Sequence, residues 1–401
     1  MNVRPFSALR PSPAQASAVA AVPYDVVDTV EARALATGNP ASFLHVSRPE
    51  IDMPEGTDCS SNEAYAQARK ALEALRSSGT LVQDAEPHFY AYRQIMGTHA
   101  QTGLVATFDT KDYLAGILKQ HEKTRKDKED DRTRHIETLQ AHTGPAFLTY
   151  KDDAGIDAIV ADVCKGVPRD DFTAVDGIRH TTWDIPADRS VELIALFEKI
   201  PVAYIADGHH RSAAASRYAQ AKNFEGESRW FMAVAFPASQ LKILPYNRLV
   251  ADLNGLTADA LLDAAKKAFT LTPAVDGAPT SGRHARMFLA GQWYDLAWDV
   301  PAGTDVVSSL DVSVLQDRFL SPVLGIDDPR TSPRISFMGG VRGLDELSGR
   351  VQEGRAAVAF SMYPVTVGEM MDIADAGAIM PPKSTWFEPK LRSGLFVHVV
   401  D

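Results

Sequence analysis

The chain has 401 residues, 45% of them hydrophobic, enough for two domains or one large α/β domain with a sizeable buried core. Its 52 acidic residues against 41 Lys and Arg give a net charge of -11, a field that repels phosphate backbones, so nucleic acid is not expected as a partner and any bound anion needs a local basic pocket. No apolar run reaches the length of a membrane span, MNVRPFSALRPSPAQASAVA lacks the apolar core of a signal peptide, and Cys59 and Cys164 form no CxxC pair, so a soluble, cytoplasmic protein is expected.

In chain order, NEAYAQARKALEALRSSG (62–79) carries apolar residues at helical spacing, and HFYAYRQI and GLVATFDT (88–95, 103–110) alternate as the two strands of a hairpin. A long charged helix is expected over 112–142, followed by TAVDGIRHTTWDI as extended chain, VELIALFEKI as a helix and VAYIA as a strand. RWFMAVAFP and LKILPYNRLV read as strands, ALLDAAKKAF as a helix, and ARMFLAGQWYDLAW as a hairpin turning at Ala290-Gly291. PAVDGAPTSGR (273–283) reads as an exposed loop or a linker. The alternation of helix and strand predicts an α/β (α+β) fold, with residues 1–250 as one portion and 251–401 as a C-terminal α/β portion.

Chemistry concentrates at YIADGHHRSAAASRYAQA (204–221), where a buried strand breaks at a glycine and restarts as a helix. Gly208 permits close approach, the first N–H groups of the helix point outward, and His209, His210 and Arg211 add donors, so the corner suits an anion. Asp207 can hold a divalent cation or position a substrate amine or hydroxyl. The plainer alternative is an Asp N-cap followed by a surface His-His pair.

In HEKTRKDKEDDRTRHIETLQAH (121–142), read as a helix, His121, Arg125, Lys128, Arg132, His135 and His142 share one basic face, with Glu122 on an adjacent stripe. That face with a flanking carboxylate meets the needs of phosphoryl transfer; the alternatives are a solvated, ion-paired helix and a zinc site on its histidines. MPPKSTWFEPKLRSGLFVHVV (380–400) places Lys383, Ser384, Thr385, Glu388, Lys390 and Arg392 between prolines and a closing strand, either as a loop returning polar groups to a site or as an ordinary edge hairpin. GxxxxGK[ST], GxGxxG, HExxH and GxSxG patterns are all missing, which leaves P-loop, dinucleotide-binding, zincin and α/β-hydrolase readings without support.

VRPFSALRP, VPYDVV, NPASFLHVSRPEID, the HEKTRKDKEDDR segment, YIADGHHRSAAA, LPYNRLV and MPPKSTWFEPKLRSGLFVH together resemble the bacterial domain-of-unknown-function family numbered 1015, over nearly the whole chain. The DGHHR corner is similar to that of the ParB/sulfiredoxin-like fold, whose members include kinases of free L-serine. The resemblance implies a ParB/sulfiredoxin-like core with a mixed sheet, and a phosphotransferase that converts L-serine to O-phospho-L-serine with ATP, or ADP, and Mg²⁺. By the same resemblance Asp207, as metal ligand, and His209 are catalytic with Glu122 as base; Gly208, His210, Arg211, Ser212, Arg125, Lys128 and Arg132 face the nucleotide. Tyr24, Asp25, His121, Asn247, Arg248, Lys383 and Arg392 are expected at the acceptor. A nucleotide hydrolase or phosphatase using the same phosphate pocket, and a ParB-like nucleotide-binding regulator, remain as alternatives.

Overall fold

A computed structural model describes residues 1–400. The chain divides into two compact units, Met1–Leu241 with Pro389–Asp401, and Lys242–Glu388.

The first unit is built on a mixed nine-stranded sheet. From one edge run Leu118–Lys119, Ala203–Asp207, Ala146–Tyr150, Trp230–Pro237, His99–Asp109, Phe89–Met96, Arg179–Ile185 and Asp170–Thr173, with Val3–Arg4 beside the far end of His99–Asp109. Ala203–Asp207 pairs parallel with Leu118–Lys119 and antiparallel with Ala146–Tyr150. Strands in this middle region are buried except at Asp207 and Trp230, which explains why VAYIA and RWFMAVAFP read as continuous apolar runs. The expected hairpin closes at Met96↔His99. One core cluster packs Phe108, Leu148, Ile205, Tyr218 and Phe231; a second, around Val19, Phe43, Leu72 and Val397, covers the N-terminal helices.

The charged stretch departs from expectation. It forms a short helix Thr110–Leu114, the strand Leu118–Lys119, a loop, the helix Lys126–Leu139 and the strand Ala141–His142. Gly116 at φ 73° turns the chain, and Leu118 then pairs with Ala203, so sheet formation overrides the helical pattern. His121, Glu122 and Arg125 therefore precede the helix and His142 follows it, which dissolves the single basic face.

In the second unit Thr270–Ala274, Gln292–Ala297, His284–Leu289, Val358–Met362, Tyr246–Val250 and Ile335–Gly339 form an antiparallel six-stranded sheet. Its hairpin turns at Ala290 and Gly291, both with positive φ, as the type I′ geometry requires. Segment 273–283 starts on the edge strand, where Pro273 is tolerated, and continues as a loop inside this unit rather than as a linker.

Candidate active site

The corner forms as its local sequence dictates. Ala203–Ala206 are buried, and a register shift between Ile205 and Asp207 re-aims Asp207 at the strand end. Gly208 adopts φ 87°, ψ 30°, a left-handed conformation that a side chain would strain, and a Cβ there would stand 3.1 Å from Cζ of Arg211. The helix His209–Ala221 follows, its Ser212, Ala213, Ala214, Ala215 and Ser216 small enough to lie close against the sheet. Gly208, not Asp207, is the N-cap, which sets aside the plain Asp-cap alternative.

The N–H groups of His209, His210 and Arg211 stand at the helix start with no carbonyl one turn back to accept them. Asp207 accepts from the Gly208 N–H at 2.6 Å and from Nζ of Lys390 at 2.8 Å, and Nη2 of Arg211 lies 3.6 Å away. Burial alone would raise this carboxyl, but Lys390 and then Arg211 hold it well below the usual carboxylate range. His209 is 4% exposed, its Nε2 has no partner, and its ring meets that of His121 edge-on at 4.6 Å. Burial, seconded by His121, keeps His209 far below its ordinary value, and burial lowers His121 to about 4 against the pull of Asp207. Both rings are neutral at physiological pH.

His210 accepts from the Arg125 N–H at 3.1 Å, which ties the 120–125 loop to the helix start. Glu122 follows His121 in that loop, so its backbone runs beside the corner although it is not on a helix. The Ser212 hydroxyl donates back to the Gly208 carbonyl at 3.2 Å and so supports the turn. The Arg125 side chain pairs with Asp127 on the surface, and Lys128 is exposed. Arg132 pairs with Asp131 at 2.6 Å and lies over the Tyr24 ring at 4.1 Å. Burial and the neighbouring Asp25 push the Tyr24 phenol up to about 12, opposed by Arg132 and Arg211.

The remaining expected members have these partners. Arg392 is buried and bonds His180, 3.2 Å away, and Asp176; His180 in turn shares a 2.8 Å hydrogen bond with Tyr92, so this arginine anchors the returning tail. Asn247, Arg248 and Lys383 belong to the second unit. There Asn247 accepts from the Met362 N–H, Arg248 donates to the Tyr246 and Lys383 carbonyls, and the Lys383 ammonium sits over Tyr246. Burial lowers Arg248 to about 10.

Among the described residues no group of three His, Cys, Asp or Glu is arranged to hold a metal. Asp207, assigned to the metal from sequence, pairs with Lys390 and Arg211 in this structure.

Lys390 stood among the polar residues of the C-terminal segment without a role, and its position at Asp207 depends on two residues that carried no signal by themselves. Gln94 and Gln101 face each other across the hairpin, both fully buried. Gln101 donates to Gln94 at 3.0 Å, and Gln94 donates to the Lys390 carbonyl at 2.8 Å. Two glutamines at partner positions of a largely buried hairpin are the one trace that sequence offered.

The structure is similar to that of a free serine kinase in complex with AMP (TM-score 0.37, 11% identity, 73% of this chain and 91% of that one). It is also similar to SbnI with C-terminal truncation from Staphylococcus aureus (TM-score 0.40, 10% identity, 74% and 87%) and to a conserved hypothetical protein from Pyrococcus furiosus (TM-score 0.37, 12% identity, 74% and 95%). No protein of curated function matches the chain. The family model described as "Protein of unknown function (DUF1015)" matches residues 3–313, and the chain belongs to that family.

Proposed function

We propose that the first unit is a phosphotransferase that moves the terminal phosphoryl group of ATP to the hydroxyl of free L-serine. The observation that carries the reading is the convergence, at one helix start, of backbone N–H groups without intrahelical partners, the buried and unpartnered Nε2 of His209, and the cations Lys390 and Arg211. Such a cradle matches the charge and geometry of a polyphosphate, since charge-assisted bonds to phosphate oxygens are the strong ones. The similarity of the DGHHR corner to that of free L-serine kinases supports the acceptor.

Phosphate oxygens take hydrogen bonds from the N–H groups of His209 and His210 and from Lys390, which gives up part of its bond to Asp207. Glu122 accepts the hydroxyl proton as the serine oxygen bonds to phosphorus and the bond to the leaving ADP oxygen breaks; a positioned carboxylate contributes roughly 10² to 10⁴-fold. His209 stays neutral throughout, as a hydrogen-bonding group rather than a charge.

The test pairs a mass measurement of phosphoserine formed from ATP and L-serine with calorimetry of nucleotide binding. Wild type forms phosphoserine, and Glu122→Gln loses about 10²-fold or more in that rate while binding nucleotide as before. Phosphate release without phosphoserine would show a hydrolase, and normal transfer by Glu122→Gln would remove the base from this loop.

A further inference from the structure

A cavity of about 40 Å³ is bordered by Tyr24, Arg132, His142, Gly144, Arg211 and Ser393. Two guanidinium groups from different helices meet there. Asp131 engages Nε and Nη2 of Arg132, which leaves Nη1. Arg211 donates through Nη1 to the Pro145 carbonyl and turns Nη2 toward Asp207, while its Nε is buried without a partner. His142 is 6% exposed and its Nε2 also lacks a partner; the other ring nitrogen bonds the Trp230 backbone, so Nε2 of the neutral ring is an acceptor. A buried donor and a buried acceptor left unmet on residues that border one small cavity each carry a desolvation penalty that a ligand with both functions removes.

Size narrows the ligand. A single water needs roughly 10 to 15 Å³ of such space, so the cavity takes about three to four heavy atoms, too few for a base, ribose or polyphosphate but enough for a carboxylate and the atom next to it. The planar guanidinium fork suits that group. We propose that this cavity seats the α-carboxylate of the acceptor, and that the enzyme's acceptors are therefore α-amino acids carrying a side-chain hydroxyl, a proposal that rests on the phosphotransferase reading above. The carboxylate bonds Arg132 and Arg211, and Nε2 of His142 accepts from the ammonium. Because Arg211 also borders Asp207, an amino acid anchored there turns its hydroxyl toward the phosphate cradle.

The experiment compares L-serine with 2-aminopropane-1,3-diol, which keeps the amine and hydroxyls but lacks the carboxylate. Wild type is expected to favour L-serine by about 100-fold in kcat/KM, since a site built for a charged group rejects the analogue without it. Gly144→Ala places a methyl 3.2 Å from Oγ of Ser393 and 3.8 Å from Nη1 of Arg211, within the cavity wall. It should raise the KM for L-serine about tenfold or more, with the diol rate and the nucleotide Kd held within about twofold, and Arg132→Met should likewise raise the KM for L-serine about tenfold or more. An unchanged serine KM in folded Gly144→Ala and Arg132→Met, or equal use of the diol by wild type, overturns the carboxylate seat while leaving phosphoryl transfer standing. If wild type phosphorylates neither compound, the transfer reading fails, and calorimetric titration of L-serine decides the cavity alone. Binding by wild type that Gly144→Ala weakens supports the seat, and no binding by wild type overturns it. Gly144→Ala keeps the test open should Arg132→Met not fold, with thermal melting as the check.

Discussion

Lys390→Met perturbs a direct contact between the returning tail and the anion site. The ammonium is 2.8 Å from the carboxylate, with the two side chains 12% and 27% exposed. At an effective dielectric of about 20 the gross attraction is about 6 kcal/mol, most of it offset by desolvation of both groups. Removing one partner of a buried pair costs about 3 to 5 kcal/mol when the other charge is stranded, but Asp207 keeps Arg211 and the Gly208 N–H. A loss near 2 kcal/mol in the urea unfolding free energy of the first unit is therefore expected at pH 7.

The sign with pH follows from the depressed Asp207 carboxyl: its contribution is complete above the unfolded value near 3.9 and is lost as pH falls through the lower folded value. Without Lys390 the folded value rises toward the unfolded one, so the gap between wild type and variant narrows below about pH 4. For nucleotide binding, loss of one charge-assisted bond of about 1.5 to 3 kcal/mol raises Kd roughly 10- to 150-fold, and Lys390→Arg recovers part of it. Calorimetry with a non-hydrolysable nucleotide beside urea unfolding reads both effects. A variant with wild-type Kd and wild-type stability would refute the reasoning.

Two further outcomes follow from the same corner and its buried imidazoles. Gly208→Ala forces an alanine to φ 87° with its Cβ 3.1 Å from Arg211 and 3.3 Å from the Ala146 backbone, so a stability loss of about 1 to 3 kcal/mol and a weaker nucleotide site are expected; a melting temperature equal to wild type with unchanged Kd would contradict the strained geometry. His121, His135 and His142 are held by burial at about 4, 3 and 3, below the unfolded value near 6.5. Between pH 6.5 and 4 only the unfolded chain takes up these protons, so stability falls with acid by up to about 1.4 kcal/mol per pH unit for each ring, and a flat urea-unfolding profile from pH 7 to 5 would count against neutral burial.

Much of the framework was legible because its signals are local. The helix Asn62–Ser77, both hairpins and the strand–glycine–helix corner each rest on periodicity or turn chemistry within about twenty residues, and the structure reproduces them. The charged run was misread for the same reason. Alternating Lys, Arg, Asp and Glu look equally helical whether solvated or not, and nothing local announces that Leu118 pairs with Ala203 or that His121 is buried against His209.

The site's chemistry divides along the same line. Residues 207–212 specify in themselves a left-handed glycine and a helix start with outward N–H groups, because backbone sterics and the missing first-turn acceptors follow from sequence alone. Which charges meet there does not. Lys390 reaches Asp207 across 183 positions, held by a carbonyl bond from Gln94, and Arg132 and Arg211 come together around a cavity that Gly144 and Ser393 also line. Such encounters depend on strand order and on how closely a helix of small residues lies against its sheet, and the energies that set them, desolvation and Coulomb attraction, act through space rather than along the chain.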